Sequence, residues 1–144
     1  MSDVILVDKR QEFKAGFDRL LEVALTESAI TAEDKCVQEI SGHGVPDNKA
    51  VDTGRLMGSI TYRTSTGGDG PRAPLKPNPE AGEDDGIHGS VPSGTAYIGT
   101  NVSYAAHVEF GTKRMRPRPF MRVGCENAVP LIRRIFARRL GGRR

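Results

Sequence analysis

Apolar residues recur along this chain in two helical stripes and one alternating stretch, and those patterns predict its elements. Between Lys9 and Ile40, Phe13, Phe17, Leu20, Leu21 and Ala24 return every three or four positions, with Glu12, Asp18, Arg19 and Glu22 between them. That spacing lays one apolar face along a long helix, and a Phe and Leu stripe of this kind is expected to pack into a core. The stripe weakens over residues 28–34, where Thr31-Ala-Glu-Asp34 resembles a capping signal, so a break into two helices is expected there. Cys36, Val37 and Ile40 resume the face, and Gly42-His-Gly-Val-Pro46 ends it. Ahead of the helix, Val4–Val7 reads as a first strand.

Asp52 or Thr53 is placed to cap one helical turn carrying Leu56 and Met57, after which residues 60–66 alternate as a strand. A Thr-Gly-Arg anion cradle is the less favoured reading, because a phosphate loop needs a longer glycine run and a lysine. Residues 67–93 hold five prolines and six glycines and almost nothing large and apolar. Such a stretch buries too little surface to offset its ordering entropy, so a long mobile loop is expected, either ordering against neighbouring subunits or serving as a tolerated linker.

Residues 95–101 alternate again as a strand. The period then changes: Tyr104, Ala105, Val108 and Phe110 recur at helical spacing, with Asn101 or Ser103 placed to cap the turn and Gly111 to end it. Arg116-Pro-Arg-Pro119 cannot lie inside a helix, and Pro119 suits the first position of a new one. That last helix, residues 119–140, places Ala128, Ile132, Phe136 and Leu140 on one face and Arg133, Arg134, Arg138 and Arg139 on the opposite, basic face. Pro130 should kink it or mark a restart near Asn127, which can cap.

Tyr104-Ala-Ala-His-Val-Glu-Phe-Gly-Thr112, followed by Arg118-Pro-Phe120 and a terminal helix, resembles the tail-component family of long-tailed bacteriophages, the head–tail joining (neck and tail-completion) proteins. Thr53-Gly54-Arg55-Leu56 resembles the turn that leads into a strand in the same family. Together the two matches cover roughly half of the chain, residues 51–63 and 96–140, in the family's order with a variable insert between them. Ala106-His107 departs from the pattern, standing where bulkier residues are common.

The resemblance implies a structural virion protein rather than an enzyme, working as a ring of identical subunits between head connector and tail tube. A hexameric ring is expected ahead of a dodecameric one, in contact with neighbouring neck or tail proteins. It implies a place in the virion tail or neck, with assembly in the host cytoplasm. Interface or structural roles are implied for Thr53, Gly54, Arg55 and Leu56, with Arg55 reaching a neighbouring subunit, and for Tyr104, Phe110, Gly111, Arg116, Pro119 and Phe120.

Composition narrows the field further. The 144 residues suit one domain spanning 1–144, and 37% hydrophobic with 27% charged residues is an ordinary soluble balance. No apolar run approaches the ~20 residues of a membrane span, so no membrane partner is expected. The short apolar start lacks a basic lead and a cleavage site, so it is not expected to be a secretion signal. Charge is strongly segregated: residues 1–112 carry −7 and residues 113–144 carry +10. The arginines therefore read in three ways, as a solvated helix end, as a dock for an acidic neighbouring subunit, or as a non-specific contact with duplex DNA in a ring lumen. A small basic DNA-binding protein using the arginine helix is the alternative function.

Candidate chemistry is sparse. Cys36 and Cys125 are expected as two buried thiols ahead of a bridge, and with His43, His88 and His107 they show no metal-ligand spacing. Glu80, Glu83, Asp84 and Asp85 lack the register of a calcium loop. No catalytic triad or metal-binding carboxylate cluster can be named, so neither enzymatic activity nor a cofactor is expected. His107 reads as structural. Glu109, flanked by Val108 and Phe110, would be costly to bury alone and is expected to pair with Arg116 or Arg118, locking the turn to the last helix. The fold expected is α+β: a long N-terminal helix, a small antiparallel sheet including 60–66 and 95–101, and a C-terminal helix packed on the sheet.

Overall fold

A computed structural model of the chain describes residues 9–42, 54–65, 70–71, 86–87 and 89–141. The fold is α+β. In order it runs α1 (Arg10–Ile40), α2 (Arg55–Ser59), β1 (Thr61–Thr64), β2 (Gly70–Pro71), β3 (Ala96–Gly99), α3 (Ala105–Phe110) and α4 (Met121–Leu140). The expected strand over Val4–Val7, the caps at Asp52 and Thr53, and the acidic cluster of Glu80, Glu83, Asp84 and Asp85 lie outside the described residues. Among those residues, no helix is long and apolar enough to cross a membrane.

The first helix does not break. Ser28 and Thr31 turn their hydroxyls back onto the carbonyls of Ala24 and Glu27, at 2.6 and 2.7 Å, instead of capping a new helix. Back-bonding of this kind leaves the i to i−4 ladder intact. The same weakened stretch is where α4 packs, because its small residues admit a close neighbour. Ala24, Ala29, Ala32 and Cys36 are buried on α1, and Gly124 and Ala128 on α4. A Cβ on Gly124 would stand 2.6 Å from both the Cα and the N of Cys36. The two helices run antiparallel: Cys36 faces Cys125, Glu39 takes a hydrogen bond from Asn127, and Glu27 meets Arg138 and Arg139.

α4 is likewise unbroken through Pro130, which is exposed and leaves the Glu126 carbonyl without its i−4 partner N–H. Asn127 therefore caps nothing and spends its amide on Glu39 at 2.8 Å. α4 lies along α1, and α1 carries the pair onto the sheet by packing against β1 and β3.

β1 is the central strand of the order β2-β1-β3, with both pairings antiparallel and Thr61 opposite Pro71 and Gly99. One strand thus comes from within the expected 67–93 loop. The far end of that segment is also tied down: the Ile87 N–H donates to Thr61 Oγ1 at 3.0 Å. Whether the intervening residues 72–85 are mobile lies outside the described residues. Beneath the sheet, Cys36, Ile40, Leu56, Ile60, Val102, Val108 and Phe120 form the core cluster, with Phe120 only 1% exposed.

Gly124→Ala should force α1 and α4 apart, since the added methyl meets backbone that cannot rotate away. A loss of about 1–3 kcal/mol is expected, read as a lower urea midpoint. An unchanged midpoint would show that the helices are not held this close.

Candidate assembly surface

Two features of the described structure concern function: a joint that fixes the last helix and an apolar face left uncovered. The joint is built on Glu109. Its carboxylate accepts hydrogen bonds from the N–H groups of Phe120 at 2.8 Å, Met121 at 2.9 Å and Arg122 at 3.0 Å. These are the otherwise partnerless donors at the start of α4, and a carboxylate there is favoured by both hydrogen bonding and the helix dipole. This corrects the expected ion pair with Arg116 or Arg118: the charge is met by backbone amides, which need no long side chain to be ordered. The locking of turn to helix remains. Arg118 contributes through its main chain, its N–H donating to Val108 O at 2.8 Å.

Gly111 makes the joint possible. Its φ is +76°, and a Cβ there would lie 2.7 Å from Pro117 N and 2.8 Å from Met115 O. Thr112 then closes the turn by accepting from the N–H groups of Arg114 and Met115. α3 opens at Tyr104, which makes no side-chain cap, and the Ala105 N–H donates to Val102 O. Thr100 uses its hydroxyl locally, meeting Ser59 Oγ at 2.6 Å and accepting from Val102 N–H at 3.2 Å.

The joint gathers part of the sequence-derived set. Leu56, Glu109 and Phe120 are buried and Pro119 half-buried around it, with α4 starting just past Pro119. Gly54 is buried and opens α2, while Arg55 and Arg116 are exposed. Thr53, His43 and His88 lie outside the described residues. Tyr104 is exposed, and Phe110 is not the core residue its spacing suggests: it is 78% exposed. The cause is that α3 has only six residues and spends its buried side on Val108 and Glu109.

The second feature is the projecting end of α1. At 31 residues, α1 is about 46 Å long against about 30 Å for the 20-residue α4. The last turn of α4 stops beside Glu27, which pairs with Arg138 at 3.0 Å and with Arg139. Phe13, Phe17, Leu20, Ala24, Glu27 and Thr31 are spaced four, three, four, three and four apart, so they share one face. Where α4 lies along that face it is covered; beyond α4 it is bare. Every residue from Arg10 to Leu20 is exposed, with Phe13 at 76% and Phe17 and Leu20 at 45%. This overturns the expectation that the Phe and Leu stripe packs into the chain's own core. At its covered end the same face opens into a shallow groove of about 500 Å³ lined by Thr31, Leu131, Arg134, Ile135 and Arg138.

The basic face is divided. Arg138 and Arg139 are engaged with Glu27 of their own chain, while Arg133 and Arg134 stay exposed. Sequence reasoning missed Glu27, although a charge standing in the register of an apolar stripe was a usable signal. It also missed Glu33, 1% exposed on α1, for which the sequence offers no local signal. No family model, no curated protein and no solved structure matches this chain.

Two outcomes follow. Glu109→Gln should lower stability by about 1–3 kcal/mol and Glu109→Lys by more, measured by chemical unfolding; equal midpoints would remove the cap. The hydrogen bond from Arg139 holds the Glu27 carboxyl below its usual range, with Arg138 adding to it. A carboxyl depressed in the folded state stabilises it above the ordinary carboxylate pKa, and that contribution is lost as pH falls through the folded value. The stability gap between the native chain and Glu27→Gln should therefore exist at neutral pH and close in acid, and a gap that widens in acid would contradict the pairing.

Proposed function

We propose that this protein is a structural component of the head–tail junction or tail end of a long-tailed bacteriophage, assembling as a ring of identical subunits that joins head connector to tail tube. The observation that carries the reading is the uncovered stripe on α1. Burying a Phe or Leu side chain is worth about 1.5–3 kcal/mol, so three of them on a rigid projecting helix favour a partner that covers them. The partner proposed is a second copy. The groove between α1 and α4 offers apolar lining from Leu131 and Ile135, with exposed Arg134 beside it. The stripe is flanked by Glu12, Asp18 and Glu22. Apolar surface thus meets apolar surface and acid meets arginine, and a head-to-tail contact of this kind builds a ring where its rotation closes.

The resemblance of residues 104–120 to the phage tail components supports the same reading, and a place in the virion after assembly in the host cytoplasm is proposed with it. A hexamer is proposed ahead of a dodecamer. Phe110, exposed on the far side of the Glu109 joint, is the proposed contact for a neighbouring neck or tail protein. The second reading, a small basic DNA-binding protein, draws on exposed Arg133 and Arg134 of the last helix, which would meet duplex DNA by charge alone.

Light scattering with negative-stain imaging tests the proposal at low and moderate salt. Discrete rings are expected from the native chain. Phe13→Ser/Phe17→Ser should give a monomer that melts no lower than a native monomer, because both side chains are already exposed. Rings that persist in the double variant would remove the α1 stripe as the interface. A native monomer at both salts that binds duplex DNA in a filter assay, with affinity falling steeply in salt, would favour the second reading.

A further inference from the structure

The two thiols of this chain, 89 positions apart in sequence, stand with their sulfurs 3.8 Å apart across the α1–α4 contact. Both are free. We propose that Cys36 and Cys125 form a dithiol site that an oxidant of the disulfide class closes into an intramolecular bridge, locking α1 to α4. Closure needs the sulfurs to move from 3.8 Å to about 2.05 Å. The backbone is already close there, since a Cβ on Gly124 would lie 2.6 Å from the main chain of Cys36.

The roles of the two residues follow from where they sit. Cys36 is fully buried in the core cluster, whereas Cys125 is half-buried in the second turn of α4 and offers the accessible sulfur. A hydrogen bond from the Cys36 thiol holds Cys125 down to about 7, and the same contact together with burial pushes Cys36 well up. Cys125 is therefore the attacking thiolate near neutral pH.

With oxidised glutathione as the oxidant, the Cys125 sulfur displaces one glutathione thiolate and forms a mixed disulfide. That step removes the negative charge beside Cys36. The Cys36 sulfur then attacks Cys125 Sγ, and the second glutathione leaves as a thiol carrying the Cys36 proton. The protein loses two protons and two electrons, and one glutathione disulfide becomes two glutathione thiols.

The bridge would link the last turns of α1 to the first turns of α4, beside the amides that Glu109 holds. It would close a chain loop that includes the sheet and α3, the kind of long loop for which a cross-link removes much unfolded-state freedom.

The test uses the full reduced chain, equilibrated with glutathione buffers of increasing oxidised fraction and read by intact mass, peptide mapping and thermal melting. A monomer lighter by two hydrogens is expected, with a single Cys36–Cys125 peptide and a Tm raised by roughly 5–10 °C. Dithiothreitol should reverse both changes. Cys36→Ser should stop at one glutathione on Cys125, which reports the order of attack without requiring the bridge. Retention of both free thiols, arrest of the native chain at the mixed disulfide, bridging between chains, or a bridge that leaves Tm unmoved would each overturn the proposal.

Discussion

The close contact of α1 with α4 is the constraint from which the rest of the structure follows. Two helices can approach to backbone distance only where both present small residues; here Gly124 meets Cys36, and Ala29, Ala32 and Ala128 are buried on the same two helices. Interiors pack as densely as organic crystals, so one surplus methyl at such a crossing must displace a helix rather than a side chain. The contact fixes the antiparallel register of the pair. It thereby decides that Glu27 meets Arg138 and Arg139, that the two thiols touch, and that α1 outreaches its partner.

The register is held at one end by the Glu109 joint. A helix start leaves N–H groups without partners, and here they are met by a carboxylate from another element instead of a local Ser or Asp. Burying that charge is tolerable because three amides surround it. Gly111 and the Thr112 turn bring α3 back toward α4 at the required distance. The segment from Val108 to Arg122 is thus, physically, a device for capping the last helix from a distance.

Function, as proposed, lies at the opposite end. Once α4 stops beside Glu27, the apolar face of α1 continues exposed, and the proposal gives it to a second copy. The chain's charge segregation complements this: acidic residues flank the stripe and exposed Arg134 stands beside the groove. A subunit with complementary surfaces at separate places is suited to head-to-tail closure rather than to a two-fold pair.

By itself the sequence determined the element types. Periodicity placed α1, α3 and α4, alternation placed β1 and β3, and Gly111 marked the end of α3, because backbone geometry and side-chain direction repeat locally. It determined, too, that the charge is divided between the two ends of the chain. Several features were decided only in the tertiary structure: that Thr31 and Pro130 interrupt nothing, that residues 70–71 add a strand, that Glu109 binds amides rather than an arginine, and that Phe13, Phe17 and Phe110 stay exposed. An apolar stripe states that a face needs covering without stating what covers it. That depends on where a second helix, distant in sequence, happens to end.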